Sequence, residues 1–212
     1  MKSGATACLL PLVLLSGCAV LHPGHEAGEA PSPQYVGQSV EALPREAVGD
    51  EMDRLSRRLA EQFAGDIKTA TLQLSRLPGG LILLELSGAA AFESGSAELP
   101  PAALDFYARL ADVIRRNDAT VLHVIAHADA ASRDDTAQSL SERRAASAAS
   151  YLTNLGVPGT RLRYEGRGAR EPLATSDTAE GQRRNRRLDF VVRPVVDGRE
   201  VQAWMPPPYL GG

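Results

Sequence analysis

Across residues 71–192 the apolar side chains switch repeatedly between a two-residue and a roughly 3.6-residue spacing, and that succession restricts the chain to a mixed α/β fold. Thr71-Leu72-Gln73-Leu74-Ser75-Arg76-Leu77 alternates, Pro78-Gly79-Gly80 punctuates, and Leu81-Ile82-Leu83-Leu84-Glu85-Leu86 is strongly apolar. A hairpin whose second strand lies inside a sheet is expected. Pro100-Pro101 suits a helix start, and Leu104, Tyr107, Leu110, Val113 and Ile114 form a stripe that ends near Asn117. Residues 121–127 are apolar and β-branched enough for a strand. A long helix follows, capped by Asp134 or Asp135, with Leu140, Ala148, Tyr151, Leu152 and Leu155 on its apolar face and Gly156 and Pro158 as its stop. Residues 161–166 read as another strand, about 167–182 as a polar loop, and 188–192 as the last strand. The order β, β, α, β, α, β, β predicts a two-layer α/β sandwich: a βαβαβ core with an extra N-terminal hairpin strand, some neighbours running parallel.

The flanks carry no such periodicity. Lys2, an apolar stretch over residues 5–15 and Ser16-Gly17-Cys18 form the three-part layout of an export signal, so residues 1–17 are expected to be removed rather than folded. Leu15-Ser16-Gly17-Cys18 resembles the lipobox of bacterial lipoproteins, which implies that the Cys18 thiol carries a lipid. Ala19, rather than Asp, implies transport to the outer membrane. Of the two cysteines, Cys8 would leave with the signal, so no intrachain disulfide is expected. Two or more acyl chains anchor a protein stably where one binds marginally.

Residues 18–44 are rich in Pro, Gly, Ser, Ala and Glu and read as a tether. About 26 residues reach roughly 25–30 Å as a coil and about 90 Å when straight. His22 and His25 lie within it but fix no geometry for a metal. Residues 45–64 place Met52, Leu55, Leu59 and Phe63 at helical spacing, an amphipathic helix. Residues 195–212, with Trp204 and Pro206-Pro207-Pro208, read as an irregular tail. The formal net charge of -3 argues against binding nucleic acid by phosphate neutralisation, despite the run of Arg183, Arg184, Arg186 and Arg187.

Four motifs fall in order along the folded region. They are Phe92-Glu93-Ser94-Gly95-Ser96-Ala97-Glu98-Leu99, Ala126-His127-Ala128-Asp129 at a strand end, Leu140-Ser141-Glu142-Arg143-Arg144-Ala145 on the next helix, and Asn185-Arg186-Arg187-Leu188 opening the last strand. Over about residues 70–194 the chain resembles the OmpA-like domain family. The resemblance implies noncovalent binding of peptidoglycan through the diaminopimelate side chain of the stem peptide, which ends in an ammonium and a carboxylate on one carbon. By motif position Asp129 would pair with the ammonium. Arg144 would hold the carboxylate through two parallel N–H donors, a geometry Lys does not reproduce. Arg186 and Asn185 would support the site, Gly95 would offer backbone contacts, and the amino end of the Arg144 helix would lend free amides. Ala126, Ala128 and Ala137 depart from the family pattern, which puts some polar contacts in doubt.

The resulting expectation is an outer-membrane lipoprotein that links membrane to cell wall, with no cofactor and no catalysis. Two alternatives stand beside it. One is a subunit that docks other envelope proteins through residues 45–64 or the tail. The other is a metal-dependent cell-wall hydrolase built on His123, His127 and Asp129, whose spacing places them on one face of a strand.

Overall fold

A computed structural model describes residues 43–93, 95–129, 134–196 and 199–200. The expected signal segment with Cys18, the expected tether before Leu43 and residues 201–212 lie outside the described residues.

The expected sheet forms from β1 (Leu72–Leu77), β2 (Leu81–Ser87), β3 (Thr120–His127), β4 (Leu162–Gly166) and β5 (Arg187–Val196), in the order β1-β2-β5-β3-β4. β3 and β4 run parallel and the other neighbours antiparallel, with Leu84 opposite Phe190 and Phe190 opposite Val124. The parallel pair exists because a helix crosses between those strands, as the alternating pattern requires. β5, last in sequence, slots between β2 and β3 and becomes central. Its side chains over 187–195 are accordingly buried on both faces.

The helices are α1 (Val48–Gln62), α2 (Ala64–Lys68), α3 (Gly88–Ala91), α4 (Pro101–Arg115), α5 (Asp134–Asn154) and α6 (Ala179–Asn185). α1, α4 and α5 bury their apolar stripes on one face of the sheet, in a single cluster with Leu84, Leu122, Val124 and Phe190. A two-layer α/β sandwich results. Met52, Leu55, Leu59 and Phe63 lie in this core, so the amphipathic segment packs with the sheet. An aromatic chain ties the layers, with Phe63 to Phe106 ring centroids at 4.9 Å, Phe106 to Phe190 at 5.6 Å and Tyr107 to Tyr151 at 5.8 Å. No described helix is long and apolar enough to cross a membrane.

The boundaries around the last strand differ most from the sequence expectation. β5 begins at Arg187 rather than 188 and runs through Pro194 to Val196, because Thr120 faces Pro194 in the register and Val195 N–H donates to Ala119 O at 2.9 Å. The last strand therefore continues into the expected tail and pairs there with β6 (Arg199–Glu200). The expected loop over about 167–182 closes with α6, capped by the Thr178 hydroxyl, which accepts from Gly181 N–H at 3.0 Å. Asn185 thus ends a helix instead of opening a strand.

Two glycines let elements touch. A Cβ on Gly166 would overlap Glu142 N and stand 2.5 Å from Ser141 Oγ, so only Gly seats α5 on the end of β4. A Cβ on Gly88 would stand 2.7 Å from Arg186 O, the acceptor of the Gly88 N–H.

Candidate functional site

The carboxyl ends of the parallel strands β3 and β4 and the amino end of β5 come together at one end of the sheet, a position where α/β sheets commonly bind ligands. Asp129 lies two residues beyond β3, Arg186 immediately precedes β5, and Arg144 projects from α5. All three line one open cavity of about 450 Å³, together with Phe92, Glu93 and Gly95. The sequence had linked Asp129, Arg144, Arg186 and Gly95, and the fold brings all four to the same cavity.

Asp129 is 7% exposed and Arg144 5%, so opposite charges are held out of bulk water. Arg186 forms an ion pair with Asp129. Arg144 donates from Nε to Ser96 O at 2.8 Å, and its guanidinium lies over the Phe92 ring, 5.1 Å from the centroid. Those contacts fix the plane of the guanidinium. Among the described residues no acceptor engages its two terminal nitrogens. Burial and the neighbouring Arg186 push the Arg144 pKa down and Asp129 pushes it back up, and a guanidinium stays charged under such opposing influences. The chemistry on offer is a fixed two-donor fork beside a carboxylate.

The loop carrying Phe92 and Ser96 is shaped by its own backbone. Glu93 N–H donates to Glu98 O at 3.1 Å, Ser96 N–H to Glu93 O at 3.1 Å, and Gly95 takes φ of 67°. The motif over residues 92–99 had pointed to this loop and to backbone contacts near Gly95, but not to the parts of Phe92, Glu93 and Ser96. They lie in a loop without periodicity, and their parts are set by proximity to Arg144.

Other expectations fall elsewhere. Asn185 does not line the cavity; its Nδ2 donates to Ala174 O at 2.8 Å while its Oδ1 accepts from Leu173 N–H at 2.8 Å and Ala174 N–H at 3.0 Å, pinning the loop before α6. The amino end of α5 lies ten residues before Arg144, roughly 15 Å along the helix axis, too far for its amides to share an anion with that guanidinium. Ser141, quoted only as motif, is fully buried and joins α5 to the β4 end, donating to Gln138 O at 2.8 Å and accepting from Gly168 N–H at 2.9 Å. Ala126, Ala128 and Ala137 are all buried, and of these Ala128 lines the cavity.

The candidate metal set does not assemble. His127 Nε2 stands 3.1 Å from Asp189 Oδ2 and 3.2 Å from an Arg187 nitrogen, on the sheet face opposite the helices. His123 shares that face and is surrounded by Arg163, Arg167 and Arg193. Asp129 has left the strand and turned to the cavity. Among the described residues no group of three or more His, Cys, Asp or Glu is placed to hold a metal.

Residues 91–186, which contain the cavity-lining Phe92, Asp129, Arg144 and Arg186, match the model of the OmpA family. These residues are an OmpA-family domain. The chain is 32% identical over 148 residues to a probable lipoprotein, YiaD, of Escherichia coli, covering 70% of this chain and 65% of that one. It is 31% identical over 105 residues to the peptidoglycan-binding protein ArfA of Mycobacterium tuberculosis, covering 50% of this chain and 32% of the relative. The chain thus spans less than two thirds of the length of these curated relatives. The solved cell wall anchor of the T6SS from Pseudomonas aeruginosa superposes with a TM-score of 0.56 at 30% identity, covering 63% of this chain and 95% of that one. The β1–β2 hairpin strand and α1 lie on the amino-terminal side of the OmpA-family match and share its core.

Proposed function

We propose that this protein is a noncatalytic envelope anchor whose OmpA-family domain binds peptidoglycan through the diaminopimelate of the stem peptide. The observation that carries the reading is the buried pair at the cavity, Asp129 with Arg144, whose terminal nitrogens no described acceptor engages. A group bearing an ammonium and a carboxylate on one carbon matches that pair charge for charge. The carboxylate takes the two terminal nitrogens of Arg144, and the ammonium shares Asp129 with Arg186. Arg186 acts as a positioning residue that keeps the Asp129 carboxylate turned to the cavity. The printed names of the relatives, a peptidoglycan-binding protein and a cell wall anchor, support the same polymer as ligand.

At the other end Cys18 carries the lipid that holds the chain on the outer membrane, facing the periplasm, and residues 18–44 span the gap. The sequence layout supports this half of the reading, as does the likeness to a probable lipoprotein. The protein then works by simultaneous attachment to two surfaces, with no chemical step.

Sedimentation with purified diaminopimelate-type sacculi tests the wall site. The wild type should pellet with the sacculi, and Asp129→Ala and Arg144→Ala should stay in the supernatant. Equal retention of all three would refute the site. Mass spectrometry of the membrane-extracted protein tests the anchor, which predicts a mature chain beginning at an acylated Cys18.

A further inference from the structure

A second cavity of about 230 Å³ opens beside the first. β1 and β2 form one wall through Gln73, Glu85 and Ser87, and the run Arg183, Arg184, Arg186 and Arg187 forms the other. Arg186 lines both cavities, which flank the end of the β2–β5 ladder where Ser87 faces Arg187. The arginine run, which the wall site leaves largely unused, therefore borders a hollow that adjoins that site.

Of the four arginines that line the hollow three are in ion pairs, Arg186 with Asp129 among them. Arg183 pairs with Glu180, and Arg187 turns to Asp189 and His127. Arg184 is exposed and makes no hydrogen bond or ion pair with any described residue. Glu85 lines the same hollow as Arg184, and burial, followed by the nearby Asp189, raises its pKa against the pull of Arg187 and Arg184. Arg184 is therefore the arginine of the hollow left to draw an anion from solution.

We infer that this cavity is a second subsite, one that takes a further carboxylate of the same stem peptide whose diaminopimelate end occupies Asp129 and Arg144. The inference rests on the function proposed above. A stem peptide carries carboxylates besides the one on the diaminopimelate side chain, and peptide chain advances about 3.3–3.6 Å per residue. Because Arg186 lines both cavities, one extended peptide can run from the first to the second. Arg184 is the carboxylate-holding residue, and Arg186 is common to both subsites. The two subsites together select a peptide by the spacing of its charges, which a lone amino acid cannot satisfy.

Calorimetric titration of the full chain with three ligands tests this: free meso-diaminopimelate, a disaccharide tetrapeptide muropeptide with free carboxylates, and the same muropeptide with every peptide carboxylate amidated except the one on the diaminopimelate side chain. The wild type should bind the free-carboxylate muropeptide at least tenfold more tightly than the amidated one. Arg184→Glu, an exposed substitution, should remove that preference and leave binding of free meso-diaminopimelate unchanged. Arg184→Lys should restore part of it. Undiminished preference in Arg184→Glu, with meso-diaminopimelate still bound, would overturn the second subsite while the first stands. No binding of any of the three by the wild type would sink the first site and this one with it. Tighter binding of inorganic phosphate than of the muropeptide would also overturn the assignment to a carboxylate.

Discussion

Arg144 couples two demands that a lysine cannot meet together. Its Nε–H satisfies Ser96 O while its plane stacks on Phe92, and only a planar fork leaves two further donors for a ligand. Arg144→Lys should weaken meso-diaminopimelate binding tenfold or more in calorimetry and reduce stability by about 1 kcal/mol in urea unfolding, the usual effect of one lost hydrogen bond. His123 makes a different prediction. Burial first, then Arg193, Arg167 and Arg163, lower its pKa to about 3. Glu165 lies 3.6 Å away, but Arg167 already engages that carboxylate at 2.6 Å, so desolvation and repulsion prevail. An unfolded imidazole titrates near 6.5 and binds a proton that the folded one refuses. The stability His123 contributes is therefore complete above about pH 6.5 and falls as pH drops toward 3, by about 1.4 kcal/mol per unit at most. Urea midpoints at pH 7 and pH 4.5 should differ less in His123→Gln than in the wild type. An identical pH dependence would contradict the assignment.

At the level of elements, α1 and Gly166 carry the clearest consequences. Leu55 and Leu59 are fully buried in the same core as the sheet, so Leu59→Ala should cost about 2–5 kcal/mol in chemical unfolding monitored by circular dichroism. A loss below 1 kcal/mol would mean that α1 is only loosely applied. Gly166→Ala should displace α5 from the β4 end, destabilise the fold by about 2–4 kcal/mol and weaken ligand binding, because the same helix carries Arg144. Most of these elements were legible from periodicity: the hairpin, α4, β3 and α5 each carry enough apolar residues to declare their period. α6 was not legible, since seven residues without an apolar stripe show only a Thr178 cap. The extension of β5 through Pro194 was masked by a residue that cannot donate, and its register came from the neighbouring β3. In the site, Asp129, Arg144 and Arg186 were readable as motif positions. Phe92 and Ser96 stood in a motif too, but their parts were not readable, because they depend on an arginine distant in sequence. Asn185 belonged to a motif yet serves the loop before α6, a local hydrogen-bonding task that a motif does not distinguish from ligand contact.

For the whole molecule the proposed function is mechanical: a lipid at Cys18, a tether over residues 18–44, and a domain whose cavity grips the wall. A linker of this composition sets reach more than affinity, so shortening it by half should leave binding to soluble muropeptide intact and reduce crosslinking to the wall in cells. Unchanged crosslinking would argue that the tether does not set the distance. In the proposed function the grip depends on charge complementarity at one carbon of the ligand. The most direct measurement is a calorimetric comparison of two tetrapeptides that differ only at the third residue, meso-diaminopimelate in one and lysine in the other. Lysine keeps the ammonium and lacks the adjacent carboxylate that Arg144 would hold. Binding to the diaminopimelate peptide should be at least tenfold tighter in the wild type, and the difference should vanish in Arg144→Ala. Equal affinity of the wild type for both peptides would contradict the central claim.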